Sequence, residues 1–317
     1  MLAAAPPSAE ARDADPKDTL TGTLRTTHFV VHYDTSDPYL AKIMARVAQG
    51  ELERISRDLG YRIENTRPFP LYVYPTHAGF VEAGGLNTSK YTVGLATSGV
   101  ESISVDASGV FAVPEEVLSH EIAHAVIFRV LGPNAPALPL WMNEGLAQYE
   151  SRELTYDDDQ LVADTAAEGS LLALTSLSDD FPRGSTAVAY AESSSAVRYM
   201  VAKHGRSSPR IMLAELARTG SFDKAMVKAT GMTGARFADS WLAKMERKYQ
   251  GLRITRTITA VISVLMSALA VAAYLVRRKQ KIEAAKRWEQ EELEEALKKQ
   301  RGHHWSTHQL RHRDWYD

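Results

Sequence analysis

The segment PEEVLSHEIAHAVIFRVLG contains two histidines and a glutamate with the spacing of a metal site: His120, Glu121 and His124. Residues four apart in an α-helix project from one face at adjacent turns, so both imidazoles could bind the same metal ion. Glu121 lies about 100° around the helix from His120, which directs its carboxylate beside the ion rather than at it. The pattern predicts a metal site with a neighbouring base that acts on metal-activated water.

The helix that would carry these residues has signals at both ends. Pro114 suits the first turn of a helix, and Glu115 and Glu116 follow where the helix dipole favours negative charge. Gly132 is a typical stop. The spacing therefore predicts a helix of about five turns.

A tetrahedral catalytic zinc site needs a third protein ligand and one open position. The chain has no cysteine, so that ligand must be His, Asp or Glu. Glu144 lies in the apolar segment LWMNEGLAQYES, where an unpaired charge would be costly. The prolines of residues 132–139 would reverse the chain after His124, so that a second helix with Glu144 lies across the metal-binding helix. Gly145 would let the backbones of these two helices approach closely. We predict Glu144 as the third ligand, with Glu150 as the alternative.

Strands and helices alternate before the metal-binding segment. Residues 26–33 and 69–74 predict strands, and between them Asp37 and Gly60 mark the two ends of a helix. Residues 101–106 (ESISVD) predict a further strand just before the metal-binding helix. We expect this strand to form the edge of the cleft, where an extended peptide could pair with it.

The chain divides into four regions. Residues 1–25 form a polar leader whose small residues resemble the remnant of a signal peptide. Residues 26–250 predict one α+β domain, with a small mixed β-sheet followed by a helical subdomain. Residues 257–276 predict a transmembrane helix, and residues 277–317 a charged, His-rich tail.

The transmembrane prediction depends on twenty uncharged residues, 257–276, which match the thickness of a bilayer core; a buried core helix is the alternative. Fifteen-residue windows contain five Lys and Arg residues before the span and six after it, so charge does not orient it. The leader favours a single-pass membrane protein whose folded domain lies outside the cytoplasm. A net charge of −2 provides no basic field for binding nucleic acid.

The pair of segments HEIAH and WMNEGLAQYE resembles the gluzincin metallopeptidases, the zincin-like group that contains thermolysin and the membrane-alanyl-type aminopeptidases. The likeness extends over roughly residues 26–249 and is nearest to the aminopeptidase-like branch. It implies that His120, His124 and Glu144 bind one Zn²⁺ ion. It also implies that Glu121 is the general base and proton shuttle for peptide-bond hydrolysis.

The same branch has a tyrosine on a later helix that steadies the oxyanion. Tyr190 in AYAESSSAVRYM matches it, with Ser193 where the aminopeptidases usually have glycine, although a tyrosine there could equally be a core residue. No Gly-rich strand motif for a substrate amino terminus is evident before Pro114, so endo- and exopeptidase cleavage both stay open. The resemblance predicts a membrane-anchored zinc peptidase acting on peptides or proteins. A catalytically silent peptide-binding module of the same fold is the alternative.

Overall fold

The computed structural model of the protein describes residues 20–64, 66–84, 93–97, 102–152 and 156–310. The chain divides into two compact units, Met1–Gln250 and Gly251–Asp317. The first unit contains a β-sheet and the helices that carry the predicted site residues.

The strands of the first unit are β1 (Gly22–Arg25), β2 (Phe29–Tyr33), β3 (Phe69–Tyr74), β4 (Gly94–Thr97) and β5 (Ser102–Asp106). The helices are α1 (Pro38–Leu59), α2 (His77–Gly84), α3 (Pro114–Leu131), α4 (Leu140–Ser151), α5 (Tyr156–Glu168), α6 (Thr186–His204), α7 (Ser208–Thr219), α8 (Phe222–Thr230) and α9 (Gly234–Leu310). Short 3₁₀ turns cover Gly132–Ala137 and Leu174–Leu177.

The five strands form one mixed sheet in the order β1-β2-β3-β5-β4. Strands β2, β3 and β5 are parallel, while β1 and β4 pair antiparallel at the two edges. The predicted α+β fold with a small mixed sheet is therefore confirmed. Strand β1 falls within the predicted leader, so residues 22–25 belong to the sheet, although GTLR contains only one large apolar residue that could have indicated this.

The cleft-edge prediction for the strand ESISVD is wrong. β5 is hydrogen-bonded on both sides, to β3 and to β4, and so it is an interior strand. Among the strands that the structure describes, β4 is the edge on this side. It pairs antiparallel with β5 and places Ala96 opposite Ile103. Chain order placed β5 next to α3, but the order of strands in a sheet depends on non-local pairing that chain order does not determine.

Helix α1 begins and ends where the sequence indicated. Asp37 Oδ1 accepts a hydrogen bond of 2.9 Å from the backbone N–H of Leu40, and the helix ends before Gly60 in a left-handed cap. Helix α3 likewise begins at Pro114 and ends before Gly132. The limits of both helices therefore agree with the local signals in the sequence, although the residue before α3, Val113, makes no side-chain capping hydrogen bond.

Helix α3 is buried on most of its surface. It packs against β4 and β5 on one side and against α1, α4 and α7 on others. Apolar residues therefore surround it rather than forming a single stripe, and five of them are completely buried: Leu118, Ile122, Ala123, Val126 and Ile127. This packing holds the α3 backbone, and with it His120 and His124, in a fixed position.

Helices α4 and α6 cross at Gly145. A Cβ atom at this position would overlap the backbone carbonyl oxygen of Ser193 and would lie 2.9 Å from Val197 Cγ2. Backbone atoms cannot move aside as a flexible side chain can. The sequence analysis expected this close approach between α4 and the metal-binding helix α3, which is wrong: at Gly145 the close approach is made to α6, and only glycine permits it.

We expect Gly145→Ala to lower the free energy of unfolding by about 1–3 kcal/mol, the usual range for overpacking a rigid core. Gly50→Ala is the matched control, because Gly50 lies within helix α1 with no heavy atom within 4 Å of the added Cβ. Alanine should there stabilise the helix by up to about 1 kcal/mol. Thermal unfolding of the two variants measures both effects, and equal melting temperatures would contradict the crossing described here.

The last helices pack behind α4. Trp241 and Phe237, both in the first turns of α9, are completely buried, and the Phe237 ring stacks on Trp141 of α4 with centroids 6.2 Å apart. The helical subdomain thus supports the helix that carries Glu144.

The second unit contains the apolar segment. Within the described residues one helix is long and apolar enough to cross a membrane, and none of its apolar window is buried. Residues 257–276 are all exposed, which excludes the buried core helix considered as the alternative. The segment is compatible with a single-pass membrane anchor. The predicted domain limits at 250, 257 and 276 stay a prediction, and residues 311–317 of the tail lie outside the described part of the chain.

Candidate metal centre

Helices α3 and α4 bring three potential metal ligands together. His120 Nε2 and His124 Nε2 lie 3.1 Å apart, and Glu144 Oε2 lies 3.5 Å from the first and 3.4 Å from the second. In the part of the chain that the structure describes, these three residues form a group whose donor atoms are close enough together to hold one metal ion.

The triangle of donor atoms has the dimensions of three corners of a zinc tetrahedron. Bonds of about 2.0–2.2 Å to nitrogen and oxygen imply about 3.4 Å between neighbouring ligand atoms. The three measured distances, 3.1, 3.4 and 3.5 Å, all lie near this value. Two imidazoles and one carboxylate also form a known catalytic ligand set, with the fourth corner left for water or substrate. The residues present therefore fit a zinc ion.

Glu144 is ionised in this setting. Burial by itself would raise the pKa of its carboxyl group, but the charges of His124 and His120 and their hydrogen bonds outweigh burial and hold the pKa well below its usual range. A buried carboxylate that remains charged needs a cationic partner. A divalent cation bound by the three donor atoms would fill that role.

Asn143 orients one of the two histidines. Its Oδ1 lies 3.2 Å from His124 Nδ1, so a proton on Nδ1 is donated to Asn143 and leaves the Nε2 lone pair facing Glu144. Such a partner sets both the tautomer and the ring orientation of a metal-binding histidine. The sequence analysis did not single out Asn143, although its position directly before Glu144 could have suggested it.

Glu121 lies beside the donor triangle and against the edge strand. Its side chain is buried, and a Cβ atom at Gly94 would come 2.5 Å from Glu121 Oε1 and 2.7 Å from Val117 Cγ1. Gly94 thus allows the backbone of β4 to pass directly over the carboxylate. Nothing local in the sequence reveals that a strand approaches α3 at Gly94.

These residues line a cleft of about 250 Å³. Its walls come from β4 (Gly94–Thr97), α3, α4 and α6, and Tyr190 contributes the part from α6. The Tyr190 side chain is half-buried, and its ring meets Phe181 edge to face with centroids 5.0 Å apart. The structure therefore brings Tyr190 to the same cleft as His120 and Glu144, across from the edge strand.

Glu150, the alternative third ligand, has other partners. Arg54 Nη1 donates a 3.0 Å hydrogen bond to Glu150 Oε2, and Arg54 Nη2 donates to the Glu150 backbone oxygen. Burial raises the pKa of the Glu150 carboxyl group to about 7, although the charge of Arg54 opposes this rise. Arg54 also pairs with Glu51, which accepts a 2.9 Å hydrogen bond from Ser119 of α3. Glu150 thus helps to join α4 to α1 and α3, away from the donor triangle.

The fold and the donor triangle define a zincin-like α+β protein with a zinc peptidase-like fold. A family model described as the Peptidase MA superfamily matches residues 47–247, more than half of the 317-residue chain, and the chain belongs to this superfamily. A comparison with curated protein sequences finds no match.

Similar solved structures include a mutant of a two-domain M1 zinc metallopeptidase bound to L-arginine, at 16% identity and a TM-score of 0.42 over 71% of this chain. They also include an M1 zinc metallopeptidase from Deinococcus radiodurans, at 17% identity and a TM-score of 0.39 over 70% of the chain. In both cases the match covers 50% of the other chain, so this protein spans about half the length of these structures.

Proposed function

We propose that the protein is a membrane-anchored zinc peptidase that hydrolyses peptide bonds with a metal-activated water molecule. The observation that carries the proposal is the donor triangle, with mutual distances of 3.1, 3.4 and 3.5 Å between His120, His124 and Glu144. Membership of the Peptidase MA superfamily supports the same reaction class. One Zn²⁺ ion bound there would lower the pKa of water to about 7 and polarise the scissile carbonyl group.

Glu121 is the residue we assign to proton transfer. Its carboxylate follows His120 on α3 and borders the cleft, so it can take the proton of the attacking water and later donate it to the leaving amine. Burial of the side chain limits competing contact with bulk solvent. No covalent enzyme intermediate is required.

We assign substrate alignment to β4. Within the described residues β4 is the edge of the sheet, and Gly94, Leu95 and Ala96 line the cleft. An extended peptide could pair with this edge by backbone hydrogen bonds, which would place its carbonyl group between the strand and α3. The structure of a complex with a peptidic inhibitor tests this assignment. An inhibitor backbone that makes no hydrogen bond to residues 94–97 would contradict it.

Tyr190 is the residue that we expect to donate a hydrogen bond to the oxyanion. Tyr190→Phe should lower kcat about tenfold to a thousandfold, since removal of one such donor has effects up to this size. Zinc content should not change, because Tyr190 is not part of the donor triangle. Tyr199→Phe is the matched control on the same helix, where the hydroxyl contacts Ser240 rather than the cleft. Equal kcat in wild type and Tyr190→Phe would return Tyr190 to a packing role.

The proposal is tested with the full chain in detergent micelles and a general peptide library. We expect one zinc ion per chain, cleavage that a chelator abolishes, and recovery of cleavage when zinc is added back. Bound zinc with peptide binding but without cleavage would favour the silent binding module. Absence of bound zinc would reject the metal centre itself.

We further propose that the peptidase domain lies outside the cytoplasm and that residues 257–276 span the membrane once. The exposed apolar helix supports the span, and the small-residue composition of the leader, which resembles the remnant of a signal peptide, supports the orientation. A reporter enzyme that works only in the cytoplasm should then be active when it is fused after Asp317. Activity of an extracytoplasmic reporter at that position would reverse the orientation.

A further inference from the structure

A second cavity, of about 490 Å³, opens near the carboxyl end of α4 and shares no lining residue with the metal cleft. Its volume falls within the range of small-molecule sites. The lining contains two carboxylates, Asp58 and Glu150, against five arginines: Arg54, Arg57, Arg152, Arg206 and Arg210. The cavity is therefore strongly cationic.

One of these arginines is already neutralised. Arg54 is mostly buried, and its guanidinium group contacts both Glu51 and Glu150 at 2.6–3.0 Å. Asp58 also pairs with Arg54, at 3.6 Å, and half of its side chain is exposed. Both carboxylates of the lining therefore lie against Arg54, and the other four arginines outnumber them.

The other four arginines have unused donor groups. Within the described part of the chain, Arg57, Arg152, Arg206 and Arg210 make no ion pair and no side-chain hydrogen bond. They come from three separate places in the chain. Arg57 is in α1, Arg152 follows α4, and Arg206 and Arg210 lie just before and within the first turn of α7. All four are exposed, so water screens part of their mutual repulsion, and an anion between them would relieve the rest.

The backbone adds to this positive field. The amino end of α7 borders the cavity through Ser207, whose side chain makes no capping hydrogen bond to the helix, so the dipole of α7 also favours a negative ligand. Arg152 has φ of +59°, the one positive value at a non-glycine residue in the described chain. A left-handed conformation is uncommon for arginine, and here it occurs at the wall of the cavity.

We propose that this cavity binds a phosphate group, held by Arg57, Arg152, Arg206 and Arg210 at the amino end of α7. Phosphate matches the lining because it offers several acceptor oxygens and two negative charges to converging guanidinium groups, which bind such oxygens in pairs. The group could be free phosphate or the headgroup of an anionic phospholipid, and both present the same oxygens to the arginines.

The test uses the full chain in phosphatidylcholine nanodiscs at constant ionic strength, titrated calorimetrically with inorganic phosphate. We expect saturable binding to wild type, and a dissociation constant at least about tenfold weaker in the double variant R57Q/R206Q and in R152Q/R210Q. The matched control is R46Q/R218Q, which removes two exposed arginines from the same helices, α1 and α7, outside the cavity. It should bind phosphate like wild type.

Two further arms identify the source and exclude the metal cleft. If a lipid headgroup is the natural occupant, nanodiscs that contain phosphatidic acid should suppress the binding of inorganic phosphate. If free phosphate is the natural occupant, these nanodiscs should leave that binding unchanged. His120→Ala should retain phosphate binding, because its side chain is not part of the cavity. Unchanged binding in both arginine double variants, loss of binding in His120→Ala, or no binding to wild type would each overturn the proposal.

Discussion

Glu121→Gln is expected to bind zinc normally and to hydrolyse peptides about a hundredfold to ten-thousandfold more slowly than wild type, the usual contribution of a general base. The amide retains the shape of the side chain beside Gly94, so the contact with β4 is preserved. It cannot accept the proton of the attacking water. The two measurements are zinc stoichiometry and kcat with a peptide that the wild-type chain cleaves.

Glu116→Gln is the control for this variant. Glu116 is an exposed glutamate in the first turn of α3, and its replacement removes the same charge from the same helix. It should retain kcat within a small factor. Wild-type turnover in Glu121→Gln would show that another group takes the proton, and it would remove Glu121 from the mechanism.

His120→Ala and His124→Ala are expected to lose both zinc and hydrolysis. Each removes one corner of the donor triangle, and loss of a direct ligand should weaken zinc binding by more than the tenfold to hundredfold typical of outer-shell partners. The remaining histidine and Glu144 would leave the ion with too few protein ligands. Metal analysis after dialysis measures the effect directly.

His28→Ala is the control for the histidine variants, since His28 precedes β2 and does not line the cleft. It should bind one zinc ion per chain and cleave peptides as wild type does. Unchanged zinc stoichiometry in both His120→Ala and His124→Ala would reject the ligand assignment. Loss of zinc from His28→Ala as well would point to a general effect on folding.

Much of the metal centre could be predicted because its signals are local. The spacing of His120 and His124 depends only on helical geometry, and Pro114 and Gly132 mark the limits of that helix. Glu144 was found because a charged residue in an apolar helix needs a partner. The resemblance to a known family then connected Glu144 to the two histidines.

The surroundings of the centre could not be predicted in the same way. The approach of β4 to Glu121 depends on how a four-residue strand pairs with β5, and the sequence GLAT has no alternation strong enough to reveal it. The contact of Asn143 with His124 depends on the angle at which α4 crosses α3. Both are consequences of packing between elements that are distant in the chain.

By itself, the sequence determined the residue types of the candidate metal centre, the limits of α1 and α3 and the apolar segment at 257–276. These features depend on neighbours within a few helical turns, where side-chain spacing and capping chemistry decide the outcome. Tertiary structure alone decided the edge position of β4, the 3.1–3.5 Å spacing of the donor atoms and the gathering of arginines around one cavity. Those features arise when segments far apart in the chain compete to bury the same apolar surface, and no local pattern records which arrangement buries it best.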